Sequence, residues 1–397
     1  MKHNILIVMS SLHLGGAETA LLGLLEALDY RQYDIDLFLY KHEGELLPYL
    51  PKQVKLLPEN PAYSCLAEAW TTTLLRGCWR VVWQRILAKI QAGRKFPGIN
   101  QASINGDYIH RRVVPLLPAI CPEKEYDLAV SFIFPHYIVP AKVRAKRRVA
   151  WIHTDYTSVV LDVPSQLEMW RRYDKIISIS QSVSESFIKV FPFLAERLEI
   201  IENILPVDYI RRRADEFLPD WPGCPDGKTI KILSIGRFSP QKNFDNVPDI
   251  CRRIVDSGVG VKWYLIGYGS EETLIRQRIR EACMDGNVII LGKKDNPYPY
   301  IKNCDVYVQP SRYEGKSVAV REAQFFGKPV IVTSYPTASS QVQDEEDGKI
   351  VPLDNVKCAQ NIAELLKNRK QLKLIAEKCK RKDFALQREI IKFYKLA

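Results

Sequence analysis

A chain of 397 residues is too long for one compact core and suits two domains. With 46% hydrophobic and 26% charged residues it has a globular composition, neither disordered nor fibrous. No uninterrupted apolar stretch approaches the ~20 residues that cross a bilayer, which predicts a protein that is not integral to a membrane. The formal charge of +11 favours an anionic partner: a nucleotide, a nucleic acid or an acidic membrane surface. Nine cysteines are scattered without a Cys-x-x-Cys pair, predicting a reducing, cytoplasmic setting and no zinc or disulfide framework.

Residues 4–9 form an apolar run that Ser10, Ser11 and His13 cut too short for a leader, so it reads as a buried first strand. A loop with Gly15-Gly16 and a helical pattern over 19–28 follow. Further strand patterns lie at 35–40, 128–133, 149–153 and 175–178. Residues 65–112 interrupt this half with Trp70, Trp79 and Trp83 and with eight basic residues against Glu68 and Asp107, a basic, aromatic, amphipathic insert with a net charge of +6. Near Pro206 the chain starts again: strand 230–235, loop 236–243, helix near 247–257, then strands at 261–266, 287–291, 305–309 and 329–333. Strands alternating with helices predict two parallel, doubly wound α/β sheets, and such sheets bind ligands at the carboxyl ends of their strands. Residues 357–397 are helical in pattern and carry a net charge of +8.

Glu314-Gly315-Lys316-Ser317-Val318 and, further on, Glu322 follow the strand at 305–309 and open a helix. Backbone amides at a helix start favour an anion. The two carboxylates, up to ~12 Å apart if both are helical, suit the ends of an extended nucleotide-sugar. On spacing alone they are equally a surface helix with two ordinary glutamates. Gly315-Lys316-Ser317 also ends like a P-loop, so a nucleoside-triphosphate-using protein with a degenerate loop at 310–317 is an alternative; the first required glycine is replaced by Pro310, which removes a donor. Arg237 and Lys242 place two cations on one loop, as a diphosphate requires. Asp34-Ile35-Asp36 looks like a metal-binding Asp-x-Asp, but it opens an apolar strand and reads as solvated strand-end polarity. Gly267-Tyr268-Gly269 begins a dinucleotide fingerprint that lacks its third glycine. A nucleic-acid-binding protein has only the net charge in its favour.

Gly236-Arg237, Lys242-Asn243, the Glu314 to Glu322 spacing and Gly15-Gly16-Ala17-Glu18 together make the sequence resemble the GT-B glycosyltransferases of family 4. The stretch Trp151-Ile152-His153-Thr154-Asp155 looks most like bacterial enzymes of capsule, exopolysaccharide or lipopolysaccharide assembly. The resemblance covers nearly the whole chain except 65–112. It implies two Rossmann-like lobes facing a central cleft: 1–205 for the acceptor, 206–380 for the donor, and 381–397 as a helix returning to the first lobe. It further implies that Arg237 and Lys242 hold the diphosphate of a UDP-linked sugar, Glu322 the ribose and Glu314 the transferred sugar. Gly15, Gly16 and the amides of Gly315, Lys316, Ser317 and Val318 add phosphate contacts, Gly267 and Gly292 border the nucleotide, and His153 stands beside the reacting centre. Family members retain anomeric configuration without a metal or cofactor, here with a saccharide or lipid-linked acceptor. The insert's tryptophans and cations, Arg76, Arg80 and Arg85 among them, predict peripheral attachment to an anionic membrane and no role for nucleic acid; the alternative is that the tryptophans pack against the first lobe.

Overall fold

The computed structural model describes every residue except 1, 14, 76, 98–101, 158, 225–228 and 315. The chain forms two compact units, Met1–Pro206 with Leu386–Ala397, and Val207–Ala385. The division therefore falls one residue after the expected 205. The terminal segment that belongs to the first unit begins at Leu386, not 381.

The first unit is built on β1 (His3–Met9), β2 (Tyr33–Leu39), β3 (Lys55–Leu56), β4 (Tyr126–Ser131), β5 (Ala145–Ile152), β6 (Lys175–Ser178) and β7 (Leu198–Ile200). They pair in the order β3-β2-β1-β4-β5-β6-β7, all parallel. Ile7 in β1 lies between Leu37 and Val130 of its neighbours. Residues Ile5, Leu6, Ile7, Val8 and Met9 are all buried, because helices cover both faces of such a sheet and leave no solvated side to alternate with. The helix Gly16–Ala27 passes so close to the chain at 204 that a Cβ on Gly23 would stand 2.0 Å from the Ile204 carbonyl oxygen. Asp36 departs from the expected solvated strand end. It is buried, with Lys124 Nζ at 2.9 Å and the Tyr126 hydroxyl at 2.7 Å, so its charge is answered within the fold.

The segment 65–112 consists largely of helices: the end of Pro61–Ala67, then Trp70–Leu75, Trp79–Lys95 and Ala102–Val113. Ala88, Ala92, Ile104 and Tyr108 make a small core of their own between the last two. Lys95 Nζ and the Tyr108 hydroxyl both donate to the buried carboxylate of Asp162, at 2.9 and 2.7 Å. At the other end of the chain the helix Ile390–Tyr394 closes the unit. Tyr394 stacks on Tyr33 with ring centroids 4.9 Å apart, its hydroxyl accepts from the Asp29 amide at 3.0 Å, and Phe393 stacks near Trp151.

The second unit repeats the plan with β8 (Ile230–Ile235), β9 (Val261–Ile266), β10 (Val288–Gly292), β11 (Val306–Gln309), β12 (Val330–Thr333) and β13 (Lys349–Val351), all parallel, in the order β10-β9-β8-β11-β12-β13. Its core joins Ile250, Cys251 and Ile254 of the helix Val247–Asp256 to Ala359, Ile362 and Leu366 of the helix Asn355–Lys367. In both sheets the strand order reverses beside the first strand, where parallel sheets open a crevice at their carboxyl ends.

The Gly23 contact is with backbone, which cannot swing away. Gly23→Ala should therefore destabilise the protein by about 1–3 kcal/mol, the usual range for overpacking. A denaturant titration with an unchanged midpoint would remove this close approach from the account.

Candidate functional site

The reversal in the second sheet lies between β8 and β11, which pair directly. Two loops leave their carboxyl ends, 236–246 and 310–317. Asn243 takes up a left-handed backbone, φ 60°, which asparagine tolerates better than most residues. Its side chain donates to the Pro310 carbonyl at 2.9 Å and accepts from Asn246 at 2.6 Å. Arg312 closes the other side. Its amide donates to the Gln241 carbonyl at 2.8 Å, and its guanidinium grips both oxygens of Asp245, at 3.0 and 2.7 Å, and also reaches the Pro240 carbonyl.

Between these clamps Lys242 Nζ donates to Glu314 Oε1 at 2.5 Å, and the two side chains are only 17% and 6% exposed. The same oxygen accepts from the Ser311 hydroxyl at 2.6 Å, while Gln241 Nε2 approaches Oε2 at 3.4 Å. Behind Ser311 a line of donors runs into the sheet: the Tyr307 hydroxyl to Gln309 Oε1 at 2.8 Å, and Gln309 Nε2 to Ser311 Oγ at 2.9 Å. Arg237, expected beside Lys242 in function, is exposed and makes no ion pair among the described residues. One cation of the loop is thus already matched and the other is unengaged.

The ends of β8, β9 and β10 carry Gly236, Gly267 and Gly292. The Gly236 amide donates to the Ile266 carbonyl and the Gly267 amide to the Gly292 carbonyl, each at 3.0 Å. A Cβ on Gly267, which has φ +156°, would fall 1.9 Å from the Gly236 carbonyl oxygen, so no larger residue fits. Gly236 in turn lies under the Lys242 stem, whose Cε would be 3.1 Å from an added Cβ.

The helix after β11 is Val318–Phe325 with Ser317 at its cap. Glu314 therefore lies in the loop, and the expected helical spacing of the two glutamates does not hold. Ser317 exchanges hydrogen bonds with Gln341, which accepts from its amide at 3.0 Å and donates to its carbonyl at 2.5 Å. An anion taking that amide would have to displace Gln341, which counts against the P-loop reading and equally against the phosphate contact expected of the Ser317 amide. Gly315 lies outside the described residues, and Lys316 and Val318 flank Ser317 at the helix start. Glu322 is buried inside the helix, where Tyr298 donates to its Oε1 at 3.0 Å. Burial pushes its carboxyl up to about 7, because a charge there has left water. Tyr298, Ser311, Gln341 and the Arg312–Asp245 clamp are site residues that the motifs do not reveal.

In the first unit Gly15 caps the helix Gly16–Ala27, its carbonyl accepting from the Thr19 amide at 2.9 Å. The Glu18 carboxylate folds back over it, so that a Cβ on Gly15 would meet Oε2 at 2.2 Å. Burial raises the Glu18 pKa. His153, just past β5, has its ring 5.0 Å from that of Phe132, and both ring nitrogens are buried with no well-formed hydrogen bond among the described residues, the Phe132 backbone lying nearby. Burial lowers its pKa to about 4, so the imidazole is neutral near pH 7. His136, buried in the same unit, is lowered to about 3 for the same reason and has Ser131 Oγ 2.8 Å from Nδ1. Among the described residues no three His, Cys, Asp or Glu side chains gather as a metal site.

Residues 223–382 match the family described as glycosyl transferases group 1. Over 188 residues the chain is 24% identical to the N-acetylgalactosamine-N,N'-diacetylbacillosaminyl-diphospho-undecaprenol 4-alpha-N-acetylgalactosaminyltransferase of Campylobacter jejuni, covering 47% of this chain and 49% of that protein. Over 151 residues it is 24% identical to the UDP-Gal:alpha-D-GlcNAc-diphosphoundecaprenol alpha-1,3-galactosyltransferase of Escherichia coli, covering 37% and 39%. The matched region thus spans about half the length, or less, of these curated relatives. Among solved structures, Anabaena Alr3699/HepE in complex with UDP superposes with a TM-score of 0.65 at 17% identity, covering 100% of this chain and 98% of that one. In fold this chain is like the GT-B proteins, and residues 223–382, within its second unit, match the model of the group 1 glycosyltransferases.

Proposed function

We propose that the chain is a retaining, metal-independent glycosyltransferase of family 4. In this reading it moves a sugar from a UDP-linked donor to a saccharide or lipid-linked acceptor during bacterial surface polysaccharide synthesis, on the cytoplasmic side of the membrane. The observation that carries the reading is the Lys242–Glu314 pair at the reversal point of the second sheet. The UDP in the Anabaena structure and the diphospho-undecaprenol in the names of the two curated relatives support the donor and acceptor classes.

The chemistry follows from the charges. A diphosphate entering the glycine-floored end of β8, β9 and β10 competes with Glu314 for Lys242, and Arg237 adds two parallel donors. As the bond from the anomeric carbon to phosphate oxygen breaks, negative charge grows on the leaving diphosphate. Cations already aimed at it stabilise the transition state more than the ground state. The acceptor oxygen forms the new bond on the same face, and its proton passes to the departing phosphate oxygen, which accounts for retention. Glu314, sharing Lys242 with the phosphate, accepts from sugar hydroxyls. Glu322 accepts from the ribose, and those donors favour its ionised form over the protonated one that burial favours. His153, neutral at working pH, offers the sugar a hydrogen-bonding group without a charge.

Lys242→Ala and Glu314→Gln should each lower turnover at least ~10²-fold, the scale of one lost preorganised electrostatic contact, while far-UV circular dichroism shows a folded protein whose melting temperature falls because a buried partner is lost. Wild-type turnover in both variants would sink the assignment. EDTA should leave activity unchanged, and loss restored by added magnesium or manganese would contradict a metal-free reaction. Glu322 gives a test with a definite sign. Its folded pKa is raised, so it costs stability as pH climbs from the ordinary carboxylate value of 4.5 through about 7. Glu322→Gln should accordingly gain in melting temperature over wild type at pH 8 but hardly at pH 4.5, and should bind UDP about tenfold more weakly or worse. An equal shift at both pH values would show that the carboxyl is not held protonated by burial.

A further inference from the structure

From 69 to 106 the chain contains no acidic residue and six basic ones. Within this stretch the helix Trp79–Lys95 buries Val81, Val82, Ala88 and Ala92. It leaves Trp79 62%, Trp83 56%, Ile86 43% and Ile90 46% exposed. At 3.6 residues per turn those four fall within about 60° of one another, on the side opposite Val81, Ala88 and Ala92. Arg80 and Arg94 border the apolar row on one edge and Lys89 on the other. All three are exposed without an ion pair among the described residues, and the Arg80 guanidinium lies 5.3 Å from the centre of the Trp79 ring. Leu74 and Leu75, 50% and 88% exposed, extend the apolar surface from the preceding helix.

The helix is anchored by its other face. Arg85 turns inward to the carbonyls of Cys65 and Glu68 at 3.0 and 2.8 Å, and Lys95 is tied to Asp162. Arg85 is therefore not one of the surface cations that the sequence led us to expect, and Arg76 lies outside the described residues. Trp79 and Trp83, more than half exposed, are not part of the first unit's core, and the Trp70 side chain lies outside the described residues.

We propose that Trp79–Lys95 is a membrane-docking helix that lies in the plane of an anionic bilayer. Trp79, Trp83, Ile86 and Ile90 enter the boundary between headgroups and acyl chains, and Arg80, Lys89 and Arg94 meet the anionic headgroups on either side. An exposed apolar row of this kind marks a contact surface, and the charges select its occupant. A second copy docked through the same face would set cation against cation, with no carboxylate anywhere in 69–106 to answer them. A bilayer rich in anionic lipid answers them all, and tryptophan suits its interface. This surface is independent of the proposed transfer reaction, because it needs neither donor nor acceptor.

The test is co-sedimentation of the full chain, without nucleotide, with sucrose-loaded vesicles of phosphatidylcholine alone or mixed with phosphatidylglycerol. Binding should require phosphatidylglycerol, fall as salt rises and shift tryptophan emission to the blue. The triple variant Arg80→Glu, Lys89→Glu, Arg94→Glu should lower the partition at least ~10²-fold, and Trp79→Ser with Trp83→Ser at least ~10-fold. Both variants change exposed side chains, so melting temperature and UDP affinity should stay at wild-type values. That readout separates failure of this surface from failure of the donor site. Equal binding to both vesicle types, wild-type partition in the triple variant, or a lipid-free dimer abolished by the tryptophan substitutions would overturn the proposal.

Discussion

Lys242 and Glu314 are 72 residues apart in sequence, and their contact is what sets the shape of the second unit's functional end. Taking a lysine and a glutamate out of water costs several kcal/mol for each ion, and attraction recovers this only when the geometry is good and the remaining lone pairs are used. Both conditions hold. The nitrogen and oxygen are 2.5 Å apart, and Ser311 shares the same oxygen. The strained turn at Asn243, the grip of Arg312 on Asp245 and the bare glycines at the strand ends all bring the two loops to the separation this pair needs. Removal of either partner would leave an uncompensated charge in a nearly dry pocket, so the loops are held in register by the charges they carry.

The two glutamates near the helix Val318–Phe325 solve the problem of buried charge in opposite ways. Glu314 is paired with a cation. Glu322 has a phenol in place of a cation and resists ionisation. The two carboxyls therefore stand in different surroundings, one beside an ammonium and one beside a phenol. In the proposed reaction the first is an electrostatic partner that an incoming anion redirects. The second is a hydrogen-bonding group that burial keeps from ionising.

The long buried strands were readable from the chain because short segments dense in β-branched, aromatic and other apolar residues, bounded by turn residues, admit few alternatives. Residues 230–235 and 261–266 stand in the structure with the bounds the pattern predicts. The edge strands β3, β7 and β13 were not, since two or three residues carry no period. Single polar residues misled for a related reason: sequence gives a charge but not its direction. Asp36 looked solvated and is enclosed by Lys124 and Tyr126, and Arg85 looked like a surface cation and caps two carbonyls. The motif glycines and Lys242 could be singled out because their chemistry is tied to local spacing. Tyr298 and Gln341 could not, because each reaches its partner, Glu322 or Ser317, from 24 residues away in the chain.

The return of Leu386–Ala397 to the first unit makes that unit discontinuous in sequence, with the whole of Val207–Ala385 inserted into it. Tyr33 and Trp151 are made early, yet their ring partners Tyr394 and Phe393 leave the ribosome only after the whole of Val207–Ala385. The inserted unit is continuous and can close on itself while synthesis proceeds. The unit that begins the chain must wait, with part of its aromatic surface uncovered, until the segment that completes it has emerged.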